Sequence, residues 1–301
     1  MSERILVTGA TGFIGAHVIR RLLASGKEVA SVSLHGGEVA GVQVEALDLC
    51  DRNAALARLN KSRFDAVVHL AAALPAGSDV TAMQSSFDRT VASMTTVTAL
   101  CRAKGCPLVY ASGSSVYGSM EPDAPATEES LPAPETLYFA AKYVGDVLCL
   151  QLGHEAGVPA AALRISAPYG PGNRRATVVE IFLRAALASE EIVVQGTGSR
   201  TQDRTYVDDA AAAIERALAA RASGVFNIGT GRPVSIRALA EAVLEAVPRS
   251  TSRIVSGGAD PQERYRAAMS VTKAREQLGW AAQVPLVEGL RLTAAKLEGT
   301  G

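Results

Sequence analysis

Cysteine is scarce and unpatterned in this chain. Its four residues, Cys50, Cys101, Cys106 and Cys149, form no CxxC pair, so neither a thiolate zinc site nor a disulfide framework is indicated. Each sits among apolar neighbours, and the expectation is reduced, packed thiols in a cytoplasmic protein. Histidine is as rare: His17 and His154 read as surface or helix-packing residues, and nothing near them has metal-ligand spacing, so no metal is expected. No sign of charge dominates. Thirty basic and thirty acidic residues cancel, which removes the electrostatic case for nucleic acid or an anionic membrane as partner. No run of eighteen apolar residues is present, nor a basic-then-apolar leader, and neither a membrane span nor export is expected.

What is present is an apolar chain, 48% hydrophobic and 20% charged over 301 residues, long enough for one large or two smaller cores. Short apolar runs at 5–7, 28–32, 42–46, 66–70, 108–111 and 161–165 alternate with helical patterns such as 54–59 and 91–104. Alternating strands and helices imply a parallel sheet covered on both faces through right-handed crossovers. After Pro168 the character changes. A turn-rich linker, 169–175, precedes a helix at 177–187, a strand at 192–195, a helix at 208–220, a strand at 224–228 and a helix at 235–246. The stretch 249–258 is polar and left unassigned. The reading is an α/β protein: a Rossmann-type doubly wound parallel sheet over 1–168, with later returns near 205–230, and a smaller C-terminal α/β substrate domain over 169–301.

The opening of the chain carries the first chemistry. The run 5–7 stops at Gly9, Gly12 and Gly15 follow at three-residue spacing, and an amphipathic stretch begins at His17. Strand, glycine turn and helix in that order place a dinucleotide pyrophosphate on a helix N-terminus. Gly9 permits the tight turn, Gly12 lets backbone N–H groups approach phosphate, and Gly15 lets helix and strand pack closely. The spacing is GxxGxxG, one residue wider than GxGxxG.

A second signal is Tyr138-Phe-Ala-Ala-Lys142, ahead of an apolar helical pattern. Four residues apart, Tyr138 and Lys142 share one helix face. A tyrosine acting as base at neutral pH needs its pKa lowered by roughly three units, about 4 kcal/mol, which a fixed ammonium and a positive nicotinamide ring can supply. Tyr110-Ala-Ser-Gly-Ser-Ser-Val-Tyr-Gly118 follows an apolar strand, where α/β folds place ligands, and Ser112, Ser114 or Ser115 could donate to a substrate oxygen.

Together these segments resemble the extended short-chain dehydrogenase/reductases, specifically the NAD-dependent epimerase/dehydratase branch. The resemblance also runs through residues 46–51, 67–72, 163–172, 196–209, 226–231 and 278–280. It implies that Gly9, Thr11, Gly12, Phe13, Ile14 and Gly15 cradle the dinucleotide, that Asp48 and Leu49 touch adenine, and that Leu70, Ala71 and Ala72 line the cofactor. Tyr138 would be the acid/base, with Lys142 holding the nicotinamide ribose and lowering the tyrosine pKa. Relatives often dimerise through the helices that would be 91–104 and 138–152 here, so a homodimer is expected.

Departures from the pattern bear on the substrate. Gly113 stands where relatives usually carry Ser or Thr, leaving Ser112, Ser114 or a water for the proton relay. Ala167 replaces a substrate-contacting Asn, and Gln202 a diphosphate-binding Arg, with Arg200 and Arg204 as nearby substrate-side candidates. At the end of the second strand Ser33 occupies the place of an acidic residue for the ribose 2′-hydroxyl, so NAD and NADP both stay open, NAD slightly favoured by the resemblance. Ser33 and His35 could bond a 2′-phosphate, with no arginine close in sequence. The leading function is a nucleotide-sugar epimerase working at C4 through a transient keto sugar. A dehydrogenase or ketoreductase of a small alcohol or ketone is the alternative, and a non-catalytic dinucleotide sensor a third.

Overall fold

In the computed structural model, which describes residues 2–120 and 125–299, strand β1 (Arg4–Thr8) is buried from Ile5 onward. It turns at Gly9 into α1 (Phe13–Ala24), whose Val18, Ile19 and Leu22 face the sheet. The chain continues through β2 (Glu28–Ser33), β3 (Gly37–Val39), β4 (Val42–Ala46), α2 (Arg52–Leu59) and β5 (Ala66–His69). Next come α3 (Val80–Lys104), β6 (Leu108–Gly113), a 3-10 turn (Ser114–Tyr117), α4 (Leu137–Ala156) and β7 (Ala160–Ile165). Beyond lie α5 (Val178–Ala188), β8 (Ile192–Val194), β9 (Thr201–Gln202), α6 (Val207–Ala219), β10 (Gly224–Ile228) and β11 (Val234–Ser235). The last elements are α7 (Ile236–Ala246), β12 (Ile254–Ser256), α8 (Thr272–Leu278) and α9 (Leu286–Glu298).

The main sheet has eight strands in the order β10-β7-β6-β5-β1-β2-β4-β3, parallel except for the β3–β4 pair. Ile5 and Val7 pack on one face with α1 and α6, while Leu6, on the other, meets α3 and α4 residues such as Val97 and Cys149. That alternation is why every central strand reads as continuously apolar. Strand order reverses between β1 and β5, and the crevice beyond the strand ends there is where open α/β sheets take ligands. A separate apolar centre joins α5, α7 and α9 around Tyr169, Tyr206 and Leu239. It takes in Ile192, Val194 and Ile254 of the two-stranded pair β8–β12, and β9 pairs with β11 separately.

Several boundaries moved. α3 starts at Val80 rather than 91 because its first turns are polar; Asp79 caps it by accepting from the Ala82 N–H. The polar stretch 249–258 contains the short β12, stabilised by pairing with β8 rather than by its own pattern. α8 and α9 follow where no element was assigned. Cys101, Cys106 and Cys149 are buried as expected, but Cys50 is half-buried beside Asp48 and Arg89, so its surroundings are polar. His17 is a link between segments: its ring nitrogens lie 2.6 Å from Asp208 and 2.9 Å from the Pro171 carbonyl. No helix among the described residues is long and apolar enough to cross a membrane, and they hold no metal-type cluster.

Candidate active site

The glycine turn is shaped by close approach. Gly9 has φ +67°, and a Cβ there would lie 2.6 Å from the Ala71 nitrogen, so only glycine lets β1 and the chain leaving β5 meet at the crevice. Gly12 is the N-cap of α1 and offers no side chain, leaving the first N–H groups of the helix to a ligand. Gly15 lies against the Gly9 and Ala10 carbonyls, closing helix onto strand. Ile14 packs on the core and Phe13 sets its ring edge on His17.

Beside this turn is an open pocket lined by Gly9, Ser33, Leu34, Asp48, Leu49, Ala71, Ala72, Ala73, Arg89 and Ser93, among others. The sequence assigned six of these to a cofactor; Leu70 lies behind, its backbone against Gly9. Thr11 Oγ1 and Ser33 Oγ are 2.8 Å apart. Asp48 accepts from the Cys50 N–H at 2.9 Å and from Arg89 Nη2 at 3.1 and 3.2 Å, and these bonds hold its carboxyl below the ordinary value. Arg89, carried by α3, lines the same pocket as Ser33, an arginine that spacing along the chain does not bring there. A glycine cradle without room for Cβ, an open helix N-terminus and an adjoining pocket fit a dinucleotide.

Tyr138 and Lys142 occupy the first turns of α4, started by Thr136 accepting from the Phe139 N–H. Lys142 is 5% exposed, and its Nζ donates to the Ala111 carbonyl at 2.8 Å, at the end of β6. The ammonium lies 5.1 Å from the centre of the Tyr110 ring and 5.8 Å from that of Tyr138. Burial pushes Lys142 down to about 8, with Asp146 opposing. Tyr138 is not lowered in the protein alone: burial pushes it up to about 12, and the opposing charge is Arg175 rather than Lys142. In the protein alone desolvation exceeds what the nearby cations supply; the expected depression counted on a positive nicotinamide ring as well.

The serines divide. Ser112 Oγ is buried without a hydrogen-bond partner, and burial raises the Asp146 carboxyl. Ser114 Oγ donates to Ser166 Oγ at 3.2 Å, and Ser166 donates to the Asp203 carbonyl. A Cβ on Gly113 would lie 3.2 Å from Phe139 Cε1, so the ring edge borders the place of a hydroxyl side chain. Arg200 is engaged, with Nη1 2.7 Å from Gln262 Oε1 and Nε 3.2 Å from Asp260. Arg204 is 6% exposed, and its Nε and Nη2 have no partner.

Other groups beneath the site were not foreseen. Asp146, one turn beyond Lys142, pairs with Arg164 at 2.9 Å, both buried, and the Arg164 guanidinium covers the Tyr117 ring at 4.6 Å. Tyr117 donates to Asn227 Oδ1 at 2.8 Å. His69 is fully buried, its Nδ1 2.7 Å from Thr8 Oγ1, and desolvation with the Lys142 charge pushes it down to about 3, so it is neutral. The i,i+4 spacing from Lys142 to Asp146 was a readable signal; the pairing with Arg164 was not.

The model of the NAD dependent epimerase/dehydratase family matches residues 5–229. The UDP-glucose 4-epimerase of Mycolicibacterium smegmatis is 33% identical over 96% of this chain and 97% of its own. The dTDP-glucose 4,6-dehydratase of Streptomyces niveus is 30% identical over 95% and 90%. Among solved structures, the Thermus thermophilus UDP-glucose 4-epimerase complex with NAD superposes with a TM-score of 0.87 at 29% identity, over 99% of this chain and 100% of that one.

Proposed function

The chain belongs to the NAD-dependent epimerase/dehydratase family, and on that premise we propose that it is a nucleotide-sugar 4-epimerase. The observation that carries the reading is the pairing of Tyr138 with a buried, backbone-held Lys142 beside the glycine cradle. Residues 9–15, Ser33, Asp48, Leu49 and 70–72 would hold the dinucleotide, with its pyrophosphate on the N-terminus of α1. That cofactor, NAD as in the Thermus relative, would supply reversible hydride transfer when bound. With the cofactor bound, its positive nicotinamide ring and Lys142 would offset the desolvation that holds the phenol at about 12 in the protein alone, so that Tyr138 Oη could exchange a proton with the C4 hydroxyl. Lys142 fixes the ribose and supplies positive charge below the phenol. Ser114, on turning its hydroxyl away from Ser166, would donate to the sugar oxygen, taking the part for which Gly113 has no hydroxyl. Arg204 and, secondarily, Arg200 face the substrate from the smaller lobe formed by most of residues 169–301.

A ketoreductase or dehydrogenase of a small alcohol is the second reading, favoured by the Phe139 ring beside Gly113, which departs from a hydroxyl-based relay. The test is to supply UDP-glucose or UDP-galactose without added reductant. Interconversion with no net NADH supports the epimerase; one-way loss of water or steady NADH turnover overturns it. Tyr138→Phe is expected to lower kcat by about 10²–10⁴ while dinucleotide stays bound. Full activity in that variant removes Tyr138 from the chemistry. We also propose a homodimer through α3 and α4, since Val147 and Leu150 of α4 are exposed at 46% and 44%.

A further inference from the structure

We propose that the adenosine end of this site accepts a ribose 2′-phosphate, so that the chain binds NADP(H) as well as NAD(H), with Ser33 and Arg89 as the discriminating residues. The inference rests on the reading that the glycine cradle holds a dinucleotide. In such folds an acidic residue after the second strand takes the ribose 2′-hydroxyl, whereas a nearby arginine accommodates a 2′-phosphate. Here β2 ends at Ser33, which lines the pocket and points its hydroxyl to Thr11. Neither residue repels phosphate, and both hydroxyls can turn to donate to it.

The one carboxylate lining the pocket is Asp48, and it is already committed to Arg89 and the Cys50 N–H. Arg89 spends only Nη2 on that pair; its Nε and Nη1 make no hydrogen bond among the described residues. A 2′-phosphate entering the pocket that Ser33 and Arg89 both line therefore meets unused guanidinium donors and no free negative charge, which favours charge-assisted bonds. The 2′-hydroxyl of NAD finds the Ser33 oxygen instead, so the same pocket admits both.

Dinucleotide-free protein would be titrated separately with NADH and NADPH, following the fluorescence of the reduced nicotinamide. The Kd for NADPH is expected within about tenfold of that for NADH. Arg89→Met should weaken NADPH by about tenfold or more and NADH by less than about threefold. Pairing it with Asp48→Asn must leave that selective loss in place, since the freed Asp48 charge is then gone. Ser33→Asp should also reject NADPH selectively. Binding of NADPH more than about a hundredfold weaker than NADH, or an Arg89 effect equal on both, overturns the proposal. Failure of NADH itself to bind overturns the dinucleotide reading, and this inference with it.

Discussion

Lys142 should make the protein less stable than it would be without it, in a manner that pH reveals. Its ammonium is buried, and burial takes its pKa from 10.5 to about 8. The folded state therefore sheds this proton before the unfolded chain does, and between those values the unfolded state binds more protons. Stability contributed by this group rises with pH through that window and is lost as pH falls through about 8. The full difference corresponds to about 3 kcal/mol, of which about 2.5 kcal/mol is realised by pH 10. Lys142→Met keeps the stem and removes the charge. It also loses the bond to Ala111, but that loss is the same at every pH. Urea unfolding of the dinucleotide-free wild type and variant at pH 7, 8, 9 and 10 gives the difference in stability at each. Relative to wild type, the variant should be favoured at pH 7 by about 2.5 kcal/mol more than at pH 10. A difference that stays flat across the series refutes the reasoning. Activity should be lost throughout, the cost of holding a destabilising charge where chemistry needs it.

Three further expectations are independent of that one. Ala167 adopts φ +28°, so Ala167→Gly should relieve strain for a net gain of about 0.5–1 kcal/mol, visible as a higher Tm; a lower Tm contradicts it. Arg164→Met strands the buried Asp146 carboxylate and should cost about 3–5 kcal/mol, most of it recovered when Asp146→Leu is added; an unchanged unfolding midpoint would show the pair idle. Val147→Glu with Leu150→Glu should convert a dimer to a monomer in light scattering, and a monomeric wild type would end the dimer proposal.

The elements that bring the site together were legible wherever one face of a segment meets one neighbour. The run 5–7, the three glycines and the i,i+4 pair at 138 and 142 declare themselves locally, because a tight turn and a helix face are short-range constraints. The doubly wound sheet followed from alternation of apolar runs with helical patterns. Short edge pieces such as β9 and β12 were not legible, since two or three residues gain their strand form from a partner elsewhere in the chain. The first turns of α3 were missed for a related reason: a capped but polar helix start has no apolar period to read. Arg89 sits in that stretch, which is why its arrival in the Ser33 pocket could not be foreseen.

The pKa of Tyr138 shows a different limit. A lysine one turn away predicts a lowered phenol only if both groups are solvated enough for charge to outweigh desolvation; here both are driven toward their neutral forms. The same contrast separates the two substrate-side arginines, which are equivalent as letters. Arg200 already has Asp260 at 3.2 Å and Gln262 at 2.7 Å. Arg204 is buried with Nε and Nη2 unpartnered, the same edge of the guanidinium that Arg58 uses to grip both oxygens of Glu45. A cation already neutralised gains less from a second anion than one with no partner, so Arg204 has more to gain from a bidentate oxygen ligand. That ranking comes from which segments fold against 200 and 204, and spacing along the chain carries no trace of it.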